Sequence, residues 1–181
     1  MLRDVRESDA GDVHAYASDP QVVRYLDWGP SSIEDTAAFL ALARAARDAT
    51  PRTAYHLTIA LRADDRAIGG CRIEIRHAAA AAGDLGFVLD RAHWGHGYAT
   101  EAGRALLRFG FERLGLHRIW ARCDVRNAAS ARVLEKLGMR REGLLRHDVR
   151  RKGEWHDSHL YAILEPDWRG ACPPPSPRRT P

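Results

Sequence analysis

The chain has 181 residues, a formal net charge of +4 and 45% apolar residues, which suits one globular domain able to bury its own core without disulfides or structural metals. Its three cysteines, Cys71, Cys123 and Cys172, are isolated and odd in number, so neither a zinc ribbon nor a disulfide framework is expected, and the pattern is that of a reduced, cytoplasmic protein. No run of about 18 apolar residues appears and charges begin at Arg3, so no spanning helix, membrane partner or secretory leader is expected, and the modest basic excess reads as solvated arginine rather than a nucleic-acid surface.

In chain order, Ser8 is placed to cap a first helix through Val13 and Tyr16, and Asp19-Pro20 opens a short second one. Ser31 or Ser32 caps a third helix, with Glu34 and Asp35 in its first turn, where carboxylates favour the helix dipole. Ile33, Ala37, Leu40 and Ala43 form its apolar stripe, and Pro51 follows its end. The period then changes to two. Tyr55, Leu57, Ile59 and Leu61 alternate with more polar residues, a polar turn follows at Asp64-Asp65, and Cys71, Ile73 and Ile75 alternate with charged ones. This predicts a hairpin with one wet face. Residues 78–82 read as a loop, 84–90 as a strand, 100–114 as a helix, 118–124 as a strand, 128–137 as a helix and 157–164 as a last strand. The order predicts a single α+β domain over 1–169 on a mixed, mostly antiparallel sheet. The segment 170–181, with five prolines and two arginines, reads as a flexible tail.

The informative stretch joins the strand through Phe87, Val88 and Leu89 to the helix that follows, by way of Trp94-Gly95-His96-Gly97-Tyr98-Ala99-Thr100. Glycines let a backbone approach a ligand closely, and a helix N-terminus offers free N–H groups and partial positive charge. Together they predict a phosphate or pyrophosphate site. It is not the nucleotide triphosphate loop, because no Lys-Ser or Lys-Thr follows, and the third glycine of the dinucleotide fingerprint is missing.

Three motifs in order carry a resemblance. Trp94 to Ala102 resembles the W-G-x-G-Y-A-T-E-A run of the GNAT N-acetyltransferase superfamily, in the branch that acetylates alanine N-termini of ribosomal proteins (the RimJ/RimL-like group). Asn127-x-x-Ser130 with Val133-Leu134-Glu135-Lys136-Leu137-Gly138-Met139 resembles its second run. Glu142-Gly143, Arg146, Gly153-Glu154-Trp155-His156-Asp157 and Tyr161 resemble its C-terminal pattern. The likeness covers residues 1–165 and departs at two points. Trp94 stands where the superfamily at large has Gln or Arg, and Leu134 stands where many members carry a general-acid tyrosine.

The resemblance implies two parallel strands, through Phe87–Leu89 and 119–123, that splay into a V. The pantetheine arm of acetyl-CoA, the acyl-donor substrate, would lie along Phe87, Val88 and Leu89. Trp94, Gly95, His96, Gly97, Tyr98, Ala99 and Thr100 would hold its phosphates. Ser130 would donate a hydrogen bond to the leaving thiolate, and Asn127 would both cap its helix and touch pantetheine. Asp157 or Asp148 would act as base or amine anchor, and Tyr25, Trp28 and Trp155 would wall the acceptor pocket. The acceptor would be a primary amine, on a ribosomal-protein N-terminus or a small molecule, and the enzyme a monomer or homodimer. The missing tyrosine at Leu134 leaves a second reading open, a non-catalytic acyl-CoA sensor on the same fold. No metal is expected: His93-x-x-His96 sits in the phosphate turn, and His156-x-x-His159 falls on opposite faces of a strand.

Overall fold

The structure, a computed structural model, describes residues 1–151 and 153–171. The elements run β1 (Leu2–Asp4), α1 (Ala10–Ala17), α2 (Ile33–Asp48), β2 (Ala54–Ala60), β3 (Ala67–His77), β4 (Ala82–Leu89), α3 (Tyr98–Glu112), β5 (Arg118–Asp124), α4 (Ala128–Lys136), β6 (Arg140–Arg151), β7 (Glu154–Leu164) and α5 (Glu165–Ala171). They build a seven-stranded sheet in the order β1-β2-β3-β4-β5-β7-β6. Every neighbouring pair is antiparallel except β4 and β5.

One face of the sheet carries the main core. Ile73, Leu85, Ile119 and Ile163 meet Leu106, Leu107 and Phe111 of α3 and Leu134 of α4. The buried positions of α3 are Ala102, Gly103, Leu106, Leu107, Gly110 and Phe111, a stripe at helical spacing. Gly110 is where α3 touches the sheet. A Cβ there would lie 2.6 Å from Ile119 Cδ1 and 2.7 Å from Ile73 Cδ1, so only hydrogen fits.

The other face is not the wet one that alternation predicts. At the β1–β3 end it lies under α1 and α2, through a second apolar cluster of Val13, Tyr16, Ala17, Val22 and Val23, with Phe39, Leu40 and Val88 against it. Thr58, on the supposedly polar side of β2, is buried and its hydroxyl donates to Asp9 Oδ2 at 2.9 Å. Small residues made this possible: Thr58, Ala60 and Gly70 let α1 sit close, and a period-two reading cannot tell small from solvated. Farther along, this face does stay polar. Arg72 and Arg76 hold the buried carboxylate of Asp84.

Several local expectations are corrected. Ser8 caps nothing. The chain enters α1 through a 3-10 turn at Glu7–Asp9, where Asp9 accepts from the Arg6 N–H at 2.9 Å. Asp19-Pro20 opens a turn rather than a helix, closed by Val22 N–H on the Asp19 carbonyl at 3.1 Å. Of the two cap candidates for α2, Ser32 is the one, in a reciprocal capping box with Asp35. The expected α2 stripe holds at Ala43, which is buried, and at Leu40, which packs on the second cluster, but not in the first turns: Ile33 is 70% exposed and Ala37 exposed, and Thr36 is buried instead. Thr36 tolerates burial because its hydroxyl donates to the Ser32 carbonyl at 3.0 Å and contacts His14 Nδ1 at 3.1 Å. The expected loop at 78–82 holds a 3-10 turn at Ala78–Ala80.

Strands β1 and β6 and helix α5 carry no clean period and were not expected. Helix α5 runs through Ala171, past the expected domain end at 169, and its Trp168 packs on Phe111 with ring centroids 6.0 Å apart. Cys172 and the rest of the expected tail lie outside the described residues.

Candidate acetyl-transfer site

The parallel pair β4–β5 is joined only at Ala82–Arg118, Gly83–Ile119 and Asp84–Trp120. Beyond that the two strands stay paired to their outer neighbours, β4 to β3 as far as Leu89 and β5 to β7 as far as Asp124, but not to each other. The sheet therefore opens into a wedge along 85–89 on one side and 121–124 on the other. Strand edges facing such a gap carry backbone donors and acceptors with no ladder partner, which an extended amide chain can take up. Because β4 and β5 are parallel, the helices that follow them both start at the open end.

The first of these starts is the glycine turn. Asp90 accepts from the Ala92 N–H at 2.8 Å and closes a 3-10 turn at Arg91–His93. Trp94 then donates its indole N–H to the Leu89 carbonyl at 2.9 Å, so this side chain pins the turn to the strand end. Gly95 and Gly97 have φ of +80° and +86°, with nothing within 4 Å of where a Cβ would stand. Left-handed backbone, rather than crowding, is what calls for glycine here. Gly97 is the N-cap of α3 and has no side chain to cap it, so the N–H groups of the first turn, through Thr100, point outward uncapped. Tyr98 is half-buried, with the rings of His93 and His96 tilted at 6.2 Å and 6.1 Å from it.

At the second start, Asn127 Oδ1 accepts from the Ser130 N–H at 3.0 Å and caps α4. Ser130 is half-buried, and among the described residues its hydroxyl makes no hydrogen bond. Leu134 is fully buried in the main core, so an apolar side chain fills the place of the family's tyrosine. Asp157, expected as a base, accepts from the His147 N–H at 2.9 Å. That bond sits at the irregularity of β6 between Leu145 and Val149, where His147 has φ +50°. Its neighbour candidate Asp148 pairs with Arg122 at 2.9 Å.

The segment 23–29 and the β6–β7 hairpin border a half-open cavity of about 270 Å³, which none of Tyr25, Trp28 and Trp155 lines. Tyr25 lies under the guanidinium groups of Arg24 and Arg126, at 5.2 Å and 5.8 Å. Trp28 is exposed, and Trp155 is exposed and stacked on His147 at 6.1 Å.

Sequence reading missed the arginines that do line it, Arg126 and Arg151 among them, and the carboxylate that holds these two. Asp124, at the end of β5, is buried and holds two arginines. Its Oδ1 accepts from the Arg126 N–H at 2.9 Å and Nε at 2.8 Å, and its Oδ2 accepts from Arg126 Nη2 at 2.8 Å and from Arg151 Nη2. Burial alone would push this carboxyl up, but the hydrogen bonds from Arg126 and Arg151 outweigh it and hold it well below the usual carboxylate range. Arg126 Nη2 also lies 3.0 Å from His156 Nδ1. No spacing signal could reveal this group, since Arg151 is 27 positions from Asp124.

Both core cysteines are buried, which disfavours the nucleophilic thiolate. Burial pushes the Cys71 thiol up to about 12, and burial with the Asp124 charge pushes Cys123 up to about 11. Among the described residues no three His, Cys, Asp or Glu side chains converge as a metal site, and no helix is long and apolar enough to cross a membrane.

The sequence and fold have counterparts in known proteins. The acetyltransferase (GNAT) domain family matches residues 1–140. The chain is 33% identical over 168 residues to the uncharacterised N-acetyltransferase YnaD of Bacillus subtilis strain 168, covering 93% of this chain and 95% of that one. A GNAT-family acetyltransferase from Bacillus anthracis superimposes with a TM-score of 0.80 at 32% identity, over 91% of this chain and 94% of that one. A ribosomal-protein-S5-alanine acetyltransferase from Vibrio fischeri does so with a TM-score of 0.76 at 25% identity, over 92% and 93%.

Proposed function

The chain belongs to the GNAT family of acetyltransferases and is an acyltransferase, and we propose that it transfers the acetyl group of acetyl-CoA directly to a primary amine through the β4–β5 wedge. The observation that carries this is the end of β4–β5 pairing at Asp84–Trp120, after which β4 runs on to Leu89 and leads into an uncapped glycine turn. The free strand edge suits the amides of a pantetheine arm, and the N–H groups from Gly95 to Thr100 suit a pyrophosphate. His96, exposed beside them, is within the reach of an adenosine 3′-phosphate.

In the reaction the amine nitrogen attacks the thioester carbonyl, the C–N bond forms, the C–S bond breaks, and the proton the amine loses to solvent is balanced by the one the departing CoA thiolate takes up. A backbone N–H at the wedge edge serves the oxyanion. The Ser130 hydroxyl, without a hydrogen-bond partner among the described residues, donates to the departing sulfur. An α-amino group, with pKa about 8, is partly neutral at pH 7, so it asks less of a base than a lysine at about 10.4. That favours an α-amino acceptor, such as a protein N-terminus or an amino acid. The buried thiols support direct transfer over an acyl-cysteine route.

The test is thermal unfolding with and without acetyl-CoA, followed by thiol release over a panel of amines. Ligand at about 100 times its Kd adds roughly 2.7 kcal/mol. A higher melting temperature and amine-dependent thiol release are expected. No shift at millimolar acetyl-CoA sinks the reading.

A further inference from the structure

We propose that the arginine-lined cavity beside the wedge binds an anionic group, a carboxylate or phosphate carried by the acceptor amine itself. This rests on the acetyl-transfer reading for its purpose, but the anion site stands on its own geometry. Arg24, Arg126 and Arg151 line the cavity with His156, against the carboxylates of Asp27 and Glu154. A fourth arginine of the lining, Arg150, turns its Nε to the Gly153 carbonyl at 3.5 Å.

The decisive residue is Arg151. Its side chain is only 9% exposed, and Asp124 takes only its Nη2. Its Nε and Nη1 are buried and have no hydrogen-bond partner among the described residues. A buried guanidinium with unmet donors is costly; Nε and Nη1 lie on different edges, so an anion meets the edge that Asp124 leaves open, one oxygen on Nε or Nη1 and the other on the remaining N–H of Nη2. Arg151 is part of the cavity wall. Asp124 does not neutralise the site, because its single charge is shared between Arg126 and Arg151.

Position adds a chemical reason. Asp124 ends β5 at the open side of the wedge, three residues before the α4 cap. An anion held by Arg126 and Arg151 anchors the acceptor next to that opening. Nearby positive charge also lowers the pKa of the acceptor's ammonium, which favours the neutral nucleophile. Asp27 and Glu154 suit the ammonium form in which the acceptor arrives. A polycation has no counterpart for the arginines.

The experiment is calorimetric titration of the CoA-loaded protein, where no transfer can occur, with matched pairs: glycine against glycinamide, and O-phosphoethanolamine against ethanolamine. Spermidine serves as the polycation. The anionic member of at least one pair is expected to bind at least tenfold more tightly than its partner, and which pair responds tells carboxylate from phosphate. Arg151→Gln and, separately, Arg126→Gln should remove that preference. Each variant leaves Asp124 one arginine, and circular dichroism checks its fold. Equal binding within both pairs, no binding of any member, or a preference surviving in both variants overturns the proposal. Failure of the protein to load with CoA sinks the acetyl-transfer reading instead, and the same titrations on the unloaded protein still score the anion site.

Discussion

Gly97 concentrates the demands of the glycine turn in one residue. Its φ of +86° needs glycine, while the space around a Cβ is open. Alanine there would be strained but not crowded, at about 1–2 kcal/mol. Glutamate would add a carboxylate beside the uncapped N–H groups that face the phosphates. Gly97→Glu should therefore leave a folded protein whose acetyl-CoA affinity, by calorimetry, falls at least a hundredfold; unchanged affinity would move the phosphates elsewhere. Ser130 gives a kinetic counterpart. Its hydroxyl has no hydrogen-bond partner among the described residues, so Ser130→Ala should cost little stability and lower kcat more than it raises KM for acetyl-CoA. Equal turnover removes it from the reaction. Both residues were legible in the sequence, because glycine spacing and an N-x-x-S cap are local signals. The pairing of Asp124 with Arg151 was not, since it depends on a hairpin folding back across β5.

Strand β5 depends on Asp124 at its end. The carboxylate is buried, hydrogen-bonded to Arg126 and Arg151, and held well below its ordinary range. A depressed folded-state pKa contributes stability above the unfolded value, about 3.9, that is lost as pH falls below it toward the folded value. Asp124→Asn should destabilise the protein at pH 7 by about 3 kcal/mol, the low end for breaking a buried pair because Arg126 is half in solvent. Urea unfolding at pH 7 and near pH 3 is the check. The gap between wild type and variant should shrink at the acid end. An unchanged gap would mean that the carboxylate is not what ties β5 to β6. Elements were legible where a period was clean, as in α3 and β3. Strand β6 was not, because Arg140–Arg151 is a charged edge strand interrupted by the irregularity at 145–149. Helix α2 was found, with Leu40 and Ala43 facing inward, but Thr36 rather than Ile33 and Ala37 is buried in its first turns, because Thr36 meets its own hydrogen-bonding needs.

At the scale of the molecule, the wedge is a property of the sheet rather than of any segment. The α+β class followed from the order of elements, but where β4 and β5 part depends on what each strand pairs with on its outer side. Only the family resemblance suggested it. The sheet also fixes the turn, since α3 lies on it through Gly110 and begins at Gly97. This links packing to ligand binding in a way that can be separated by experiment. Gly110→Ala would put a methyl 2.6 Å and 2.7 Å from two buried isoleucine methyls, an overpacking that costs about 1–3 kcal/mol. Where the two isoleucine tips cannot give way in the packed core, the helix rises from the sheet and its first turn moves with it. Denaturant unfolding should show the lost stability, and calorimetry should show weaker acetyl-CoA binding in the same variant. Gly97→Glu, by contrast, should lose affinity with its fold intact. If Gly110→Ala loses stability while binding acetyl-CoA normally, the turn is positioned by Trp94 and Asp90 at the end of β4 instead, and α3 merely follows it.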